Sequence, residues 1–427
     1  MAHRRTLTAV AGFVVAGLAL AGCASGDSGG SAESGSESTS DGPVELEFWA
    51  WGSNVDKRVA EWNEQNPDIQ VNISAPAGGA DFPVKVLSAV RAGEGPDIAQ
   101  AEYTQLPTYV SAGVVADVES VRDEMEAAFS ETTLDTVTFD DTIFGIPQDL
   151  GPALFVYRTD LFGQLGIEPA ETWDDFRALA EQVRSLPGDH YLANFSAIDA
   201  DLFMGLALQN GAQWWEFADG EWNVDIDDDA SAEVLEYWQG LVEDDLISTY
   251  PSGSPEFIEA TASGKVLGQI AGAWAPGPLL NQYPDTVGLW GAAQIPQWEA
   301  GELKTFARGG SADIILADSE HYEESVEFLT WLNASDEGAE GLVGINKFTA
   351  ALHGQEIDRP APDLMPEDDT YWPSAAESAS GLVSVQWGPN TQVAFTALND
   401  ALGAAIETGD WSKVLSTVQT TVEGDLD

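Results

Sequence analysis

The body of the chain begins with alternating apolar and polar positions. Residues 44–49 read Val-Glu-Leu-Glu-Phe-Trp, and a period of two residues is typical of a strand with one buried face. Apolar residues then recur at helical spacing over 55–62, behind Ser53 or Asn54 as the helix cap. A turn leads from there into a second apolar segment at 69–73. The pattern therefore predicts a strand, a helix and a strand in succession.

Strand and helix signals continue to alternate along the rest of the chain. A strand is predicted after Gly95-Pro96-Asp97 and extends to Ala101, and Thr172-Trp173-Asp174-Asp175 is typical of a capping box at the start of a helix. Further helices are predicted at about 84–92, 231–242, 323–333 and 393–408. Such alternation favours an α/β fold, in which ligands bind beyond the carboxyl ends of the strands.

The N-terminus has the order of features of an export signal. His3-Arg4-Arg5 is positively charged, and the apolar stretch 7–20 is too short to span a membrane as a stable helix. Leu20-Ala21-Gly22-Cys23 then resembles the bacterial lipobox, in which the thiol is diacylated and the chain is cut before the cysteine. We therefore expect residues 1–22 to be a lipoprotein signal peptide and Cys23 to be a lipid anchor at the outer face of the membrane. The export route, general or twin-arginine, stays open.

The segment that follows the cysteine differs in composition from the rest of the chain. Residues 23–43 are rich in glycine, serine and acidic residues and contain almost no large apolar side chain. A segment of this composition cannot bury enough apolar surface to offset the entropy of ordering. We expect it to be a flexible tether between the anchor and the body.

Length, charge and cysteine count exclude several classes of protein. A chain of 427 residues exceeds the ~100–200 residues usual for one domain, so two lobes are expected. The single Cys excludes an intrachain disulfide framework and a cysteine-rich zinc site. The net charge of −56 argues against binding to nucleic acid, whose phosphates it would repel. Because the acidic residues are scattered along the chain, we interpret them as a solvated coat adapted to high salt.

One acidic stretch has the spacing of a calcium-binding loop. Asp225, Asp227, Asp229 and Glu236 fall at positions 1, 3, 5 and 12 of an EF-hand-like loop. Position 6, which needs a sharply turning glycine, is Ala230. We therefore expect the aspartates to cap the helix that follows, although a structural calcium ion remains an alternative.

Many short segments resemble the family 1 extracellular solute-binding proteins of sugar ABC importers. Their order and spacing over nearly the whole body carry the resemblance, since each segment alone is weakly specific. The segments are Phe48-Trp49-Ala50-Trp51-Gly52, Asn63–Val71, Gly95-Pro96-Asp97-Ile98, Gly145–Pro152, Tyr157–Phe162, Thr172–Phe176, Ala273–Gly277, Pro296-Gln297-Trp298, Gly309-Gly310-Ser311 and Phe328–Asn333.

The resemblance implies a two-lobed, type II periplasmic-binding-protein-like α/β fold with a ligand cleft between the lobes. The implied N-terminal lobe comprises 44–148 and 300–352, and the implied C-terminal lobe comprises 152–296 and 360–427. The hinge crossings are placed at 147–152, 295–305 and 352–362. The resemblance also implies a monomer without catalytic residues, cofactor or metal, which delivers its ligand to the permease subunits of an importer.

A sugar presents apolar C–H faces and a fringe of hydroxyl groups, so its site needs aromatic platforms and fixed polar groups. The chain has 15 Trp, a high count that makes aromatic platforms available, although we expect most of them to lie in the core or on lobe surfaces. Trp51 follows the first strand and faces the cleft in similar proteins, Trp274 resembles the stacking tryptophan of the family, and Trp387 is a further platform candidate. The polar candidates, which lie after strands or in crossings, are Glu102, Tyr103, Gln148, Asp149, Arg308, Gly309, Gly310 and Ser311.

The leading hypothesis is therefore a lipoprotein that captures a sugar, which we expect to be a di- or oligosaccharide. A two-lobed binder of a non-sugar solute is the first alternative, because sequence does not fix the ligand. A secreted carbohydrate-active enzyme is the second, since glycosidases need two carboxylates across a cleft and the chain has 72 acidic residues. No motif singles out such a pair.

Overall fold

The computed structural model describes residues 42–52, 54–76, 81–218 and 221–426. The expected signal peptide, Cys23 and nearly all of the tether lie outside these ranges, as does Ser53. Among the helices of the described ranges, none combines the length and the apolar character needed to cross a bilayer.

The strands are β1 Val44–Trp49, β2 Ile69–Ser74, β3 Ile98–Glu102, β4 Thr138–Phe139, β5 Thr142–Ile143, β6 Ile146–Arg158, β7 Trp215–Ala218, β8 Glu221–Val224, β9 Gly268–Gly272, β10 Trp290–Gln294 and β11 Ala307–Ile315. The α-helices are α1 Val55–Gln65, α2 Asp81–Ala92, α3 Leu106–Ser111, α4 Arg122–Ala128, α5 Glu131–Asp135, α6 Thr159–Leu165, α7 Trp173–Ser185, α8 Ala200–Gln209, α9 Asp229–Glu243, α10 Pro255–Ala262, α11 Pro276–Gln282, α12 Tyr322–Leu329, α13 Asp336–Gly344, α14 Leu352–Gln355, α15 Tyr371–Ser380, α16 Thr391–Thr408 and α17 Val414–Leu426.

Seven strands form one mixed sheet in the order β2-β1-β3-β11-β6-β10, and β9 also pairs with β6. β1 is parallel to β2 and β3, whereas β11 is antiparallel to β3 and β6. The first half of β6 pairs with β11, and its second half pairs with β9 and β10. The long strands β6 and β11 therefore connect two groups of strands, β1–β3 on one side and β9–β10 on the other.

The positions of these two shared strands bear on the expected hinge. The expected first crossing, 147–152, falls inside β6, and the expected third, 352–362, falls on α14 and the irregular segment after it. The expected second crossing, 295–305, precedes β11; Thr305 instead bridges to Leu382, beside α15. The second strand shared by both groups, β11, begins at Ala307. Its first residues, Ala-Arg-Gly-Gly-Ser, lack the β-branched side chains that mark a strand in sequence.

The predicted periodicities are confirmed in the elements that they described. Leu46 and Phe48 of β1 are buried, while the alternating Glu45 and Glu47 are exposed. Thr172 caps α7 by accepting a hydrogen bond from the Asp175 backbone N–H at 3.1 Å, as the capping box predicted. α2 begins three residues earlier than predicted, and the predicted helix 323–333 divides into α12 and a π-helical turn, Thr330–Ala334. Asn54 precedes α1 in a left-handed conformation and makes no side-chain cap.

The acidic stretch before α9 serves as a helix start. Asp228 caps α9 by accepting a hydrogen bond from the Ser231 backbone N–H at 2.6 Å. Within the described ranges, no three side chains of His, Cys, Asp or Glu come together as metal ligands.

Candidate functional site

A cleft of about 680 Å³ opens where β6 and β11 connect the two groups of strands. Parallel strands β1 and β3 end at the same edge of the sheet, so the residues that follow them meet there. Side chains from several loops complete the walls. The residues that line it include Trp51, Gly52, Glu102, Asp149, Trp274, Gly309, Gly310, Ser311, Asn346, Lys347, Phe348 and Trp372.

Trp51 occupies the rim of the cleft just after β1. Its ring packs edge-on against Phe82 of α2 at 4.8 Å between centroids. The Gln100 Oε1 atom accepts hydrogen bonds from the backbone N–H groups of Trp51 at 3.1 Å and of Gly52 at 3.2 Å. The rim is therefore fixed by a buried amide of β3, which leaves the Trp51 ring beside the cleft.

Trp274 is the large aromatic side chain most open to the cleft. It follows β9, just before Pro276 begins α11, and is 49 % exposed. Its indole Nε1–H donates a hydrogen bond to the Arg308 carbonyl oxygen at 2.6 Å. Because the indole edge is anchored to β11 in this way, the ring is held in place although it is half exposed. An ordered, exposed tryptophan in a concavity is suited to stacking against an apolar ligand face.

Gly309 and Gly310 bring bare backbone to the cleft. Both have positive φ angles, 75° and 121°, which L side chains rarely adopt. A Cβ on Gly310 would lie 2.8 Å from the Tyr103 ring and 2.9 Å from the Asp149 carbonyl oxygen. The glycine at position 310 therefore lets β11 pass close to the Tyr103 ring and to the backbone of β6.

Asp149 lies on β6 within the cleft and is held by two neighbours. Its Oδ1 accepts a hydrogen bond from the Ser311 hydroxyl at 2.7 Å, and its Oδ2 accepts one from the Lys347 ammonium at 2.6 Å. Sequence analysis did not single out Lys347, which lies in the loop after α13. The signal that could have found it is the scarcity of bases, since only 16 Lys and Arg accompany 72 acidic residues.

A chain of buried polar side chains lies beneath the cleft. Gln100 Nε2 donates to the Ser311 hydroxyl at 2.8 Å, and Gln148 Nε2 donates to Asp313 Oδ2 at 2.7 Å. Asn333 Nδ2 donates to the same oxygen at 2.8 Å. Burial, which outweighs these hydrogen bonds, raises the pKa of Asp313 to about 7. Gln148, predicted as a ligand contact, is fully buried in this network and does not line the cleft.

Asp313 predicts a specific pH dependence of stability. The pKa of the Asp313 carboxyl in the folded chain is above the ordinary value of 3.8. Between pH 4 and pH 7 this carboxyl is therefore ionised in the unfolded chain and protonated in the folded chain. Stability is thus lost as pH rises through this window. We expect Asp313→Asn to remove that loss, on the order of 4 kcal/mol, when urea unfolding is measured from pH 4 to pH 8.

The comparison should use the slope with pH, because the new amide brings a constant change in hydrogen bonding at every pH. Asp318→Asn, at an exposed position, is the control and should leave the slope as it is. Parallel curves for Asp313→Asn and the unmodified protein would contradict the prediction.

Arg308 was predicted to donate hydrogen bonds to a ligand, and the structure corrects this. Its guanidinium pairs with Asp199 at 2.8 Å and with Asp201 at 3.3 Å, and its side chain is 13 % exposed. Burial acts to lower the pKa of Arg308, but the two carboxylates outweigh it and raise that pKa. Arg308 holds the start of α8 against β11 and does not line the cleft.

Tyr103 and Trp387 are likewise buried behind the cleft rather than open to it. Tyr103 donates its hydroxyl to the Asp149 carbonyl oxygen at 3.1 Å. Trp387 is 5 % exposed and packs edge-on against Phe395 at 6.4 Å between centroids. Both line a smaller cavity of about 30 Å³ that adjoins the cleft and has room for about one water molecule. The prediction of Trp387 as an open platform is corrected, because its ring faces are covered by packing.

The structure adds an aromatic wall that sequence analysis did not find. Trp372 of α15 lines the cleft and stacks against Phe348 with 6.5 Å between ring centroids. The Arg359 guanidinium lies 3.5 Å from the centroid of the Trp372 ring, a cation–π geometry. The stacking of Phe348 on Trp372 joins the loop after α13 to α15. The sequence does not reveal this contact because the two residues are far apart along the chain.

Comparison with known families matches residues 50–339 to the bacterial extracellular solute-binding proteins. The chain belongs to this family. The match covers more than half of the chain and confirms the resemblance that the motifs indicated. The family consists of binding proteins rather than enzymes. The solute-binding protein shares its two-lobed α/β architecture with the family's solved structures.

Three known proteins illustrate the similarity. The lactose-binding protein of Rhizobium radiobacter is 26 % identical over 403 residues, which are 90 % of this chain and 93 % of that protein. The arabinooligosaccharide-binding protein of Halalkalibacterium halodurans is 26 % identical over 325 residues, 71 % of this chain and 70 % of that protein. The ABC-transporter galacto-N-biose-/lacto-N-biose I-binding protein of Bifidobacterium longum, in complex with lacto-N-biose, superposes with a TM-score of 0.79 at 27 % identity. That superposition covers 90 % of this solute-binding protein and 97 % of the other.

Proposed function

We propose that this solute-binding protein captures a di- or oligosaccharide for an ABC importer and delivers it to the membrane permease. One observation carries the proposal: Trp274, anchored yet half exposed, lines a cleft that also holds the paired groups Asp149 and Lys347. A flat apolar ring beside fixed polar groups matches the faces and hydroxyls of a sugar. The relatives' names, which are those of sugar-binding proteins, support the same ligand class.

Capture would proceed without covalent chemistry. The sugar would stack on Trp274, and its hydroxyl groups would form hydrogen bonds with the polar groups of β6 and β11. The lobes would then close over it. The hinge would comprise β6, β11 and the segment at 352–362. The N-terminal lobe would be formed by 44–148 and 300–352, and the C-terminal lobe by 152–296 and 360–427. Closure would exclude water and strengthen each hydrogen bond.

The proposal includes the location of the protein. A lipid on Cys23 would hold it at the outer face of the cell membrane, and the tether 23–43 would keep the body close to the permease. The net charge of −56 would keep it soluble at high salt.

If the acidic surface is an adaptation to high salt, molar NaCl should raise the thermal unfolding midpoint. No rise with salt would argue against this adaptation.

A thermal-shift screen tests the ligand class. The panel contains lactose, lacto-N-biose and an arabino-oligosaccharide, together with glycerol phosphate, a polyamine and amino acids as non-sugar solutes. At a ligand concentration of about 100 times Kd, binding stabilises the folded state by about 2.7 kcal/mol, so we expect a rise of several degrees with at least one sugar.

The other outcomes favour the alternatives. A shift with a non-sugar solute and with no sugar would indicate a binder of that solute. Reproducible cleavage of an oligosaccharide would indicate a carbohydrate-active enzyme and overturn the proposal.

A further inference from the structure

Lys347 is placed in the cleft by its own backbone contacts. Its N–H donates to the Leu342 carbonyl oxygen at 3.0 Å, and its carbonyl oxygen accepts from Arg359 at 2.6 Å. The residue before it, Asn346, has a left-handed φ of 66°, which turns the chain out of α13. The loop is therefore ordered, and the long side chain begins from a fixed point.

The ammonium group lies between Gly52 and Asp149. A Cβ on Gly52 would be 3.1 Å from Lys347 Nζ, so the glycine leaves room for the ammonium at the cleft wall. The salt bridge to Asp149 is 2.6 Å long, and both side chains are largely but not fully covered, at 16 % and 18 % exposure. Among the described residues that line the cleft, Lys347 is the one basic side chain.

Neither group has used all its hydrogen-bonding capacity. An ammonium has three N–H donors, and Asp149 is the one side chain that accepts from it in the described structure. Each carboxylate oxygen has two lone pairs, and Ser311 and Lys347 occupy one on each oxygen of Asp149. The pair can therefore donate and accept at adjacent points of the cleft wall.

The combination is suited to neutral sugars. Of two adjacent hydroxyl groups on a sugar ring, one can donate a hydrogen bond to the carboxylate and the other can accept one from the ammonium. An acidic sugar is less well matched, because Glu102 and Asp149 line the same cleft. Arg308, the other cation expected here, is already engaged by Asp199 and Asp201.

We infer that Lys347 and Asp149 act together as the hydroxyl-recognising pair of the cleft, with Lys347 as its hydrogen-bond donor to sugar. The inference rests on the proposed function and adds to it a binding residue with a defined role. Ser311 is a positioning residue that orients the Asp149 carboxylate.

The test compares Lys347→Met with Lys57→Met by isothermal titration. The probe is lactose, lacto-N-biose or the arabino-oligosaccharide, whichever stabilises the unmodified protein. Lys57 is exposed on α1 outside the cleft, so its replacement makes the same change in net charge. We expect Lys347→Met to weaken binding about 10- to 100-fold and Lys57→Met to leave affinity unchanged.

A double variant separates sugar contact from simple support of Asp149. If Lys347 only neutralised Asp149, then Asp149→Asn with Lys347→Met would restore affinity, and this outcome would overturn the inference. We expect the double variant to stay weak, with an unfolding midpoint close to that of Lys57→Met in the absence of sugar. Equal affinity of Lys347→Met and Lys57→Met would overturn the inference alone. No response of the unmodified protein to any of the three sugars would overturn the proposed function and the inference with it.

Discussion

Trp274→Ala is expected to lower sugar affinity by about 2–4 kcal/mol, roughly 30- to 1,000-fold, while the protein stays folded. The loss follows from removing the aromatic platform on which an apolar sugar face would stack. Stability should change little because the side chain is 49 % exposed and its removal leaves no cavity in the core. Isothermal titration with a sugar that responds in the screen gives the affinity, and the sugar-free unfolding midpoint gives the stability.

Two further variants sharpen this test. Trp274→Phe keeps a ring but loses the Nε1–H that donates to the Arg308 carbonyl oxygen, so we expect an intermediate loss. Trp222→Ala is the control, since Trp222 lies on β8, packs against Phe217 and does not line the cleft. It should reduce stability modestly and leave affinity unchanged. Undiminished affinity in Trp274→Ala would remove Trp274 from the site.

Gly151→Ala is expected to destabilise the fold by about 3 kcal/mol or more. Gly151 lies in β6 where the strand passes between the two groups of strands. An added Cβ would overlap the Arg308 carbonyl oxygen and lie 2.9 Å from its carbonyl carbon and 3.0 Å from the Gly309 oxygen. These are backbone atoms of β11, so the overlap could be relieved only by separating the two strands.

Urea unfolding measures this effect, with Gly163→Ala as the matched control. Gly163 is exposed on α6, and a Cβ there would meet no atom within 4 Å. Alanine should therefore stabilise that helix by about 0.5–1 kcal/mol. Because Asp149 and Gly309 lie beside the strained contact, Gly151→Ala should also weaken sugar binding. Wild-type stability in Gly151→Ala would mean that β6 and β11 are not closely coupled.

The local elements were predictable where one physical pattern dominates. β1 and α7 have clear periodicities, and the cap at Thr172 has a short-range signature. These elements could therefore be predicted from the local spacing of residues alone. β11 was not among the predicted strands, because a strand that joins two groups by close backbone approach has glycine at its start. Its stability comes from pairing with β3 and β6, which are distant in sequence.

The candidate site shows the same division. Seven of the predicted site residues line the cleft: Trp51, Glu102, Asp149, Trp274, Gly309, Gly310 and Ser311. Tyr103, Gln148, Arg308 and Trp387 lie near it but are turned into the protein. A polar or aromatic side chain after a strand can find hydrogen-bond or packing partners either in the cleft or inside the protein. The choice depends on partners such as Asp199 and Asp313, which sequence spacing does not identify.

The sequence by itself determined the class of protein: a strongly acidic chain with an α/β body and the family's motifs in order. It also predicts an export signal, a lipobox and a polar tether ahead of that body. These features are local or additive, so they can be read without coordinates. Only the tertiary structure decided which side chains share the cleft. Lys347 reaches Asp149 across 198 positions of sequence, and Phe348 stacks on Trp372 of another helix. Such contacts depend on how β6, β11 and the loops around them pack together, and no local pattern records that packing.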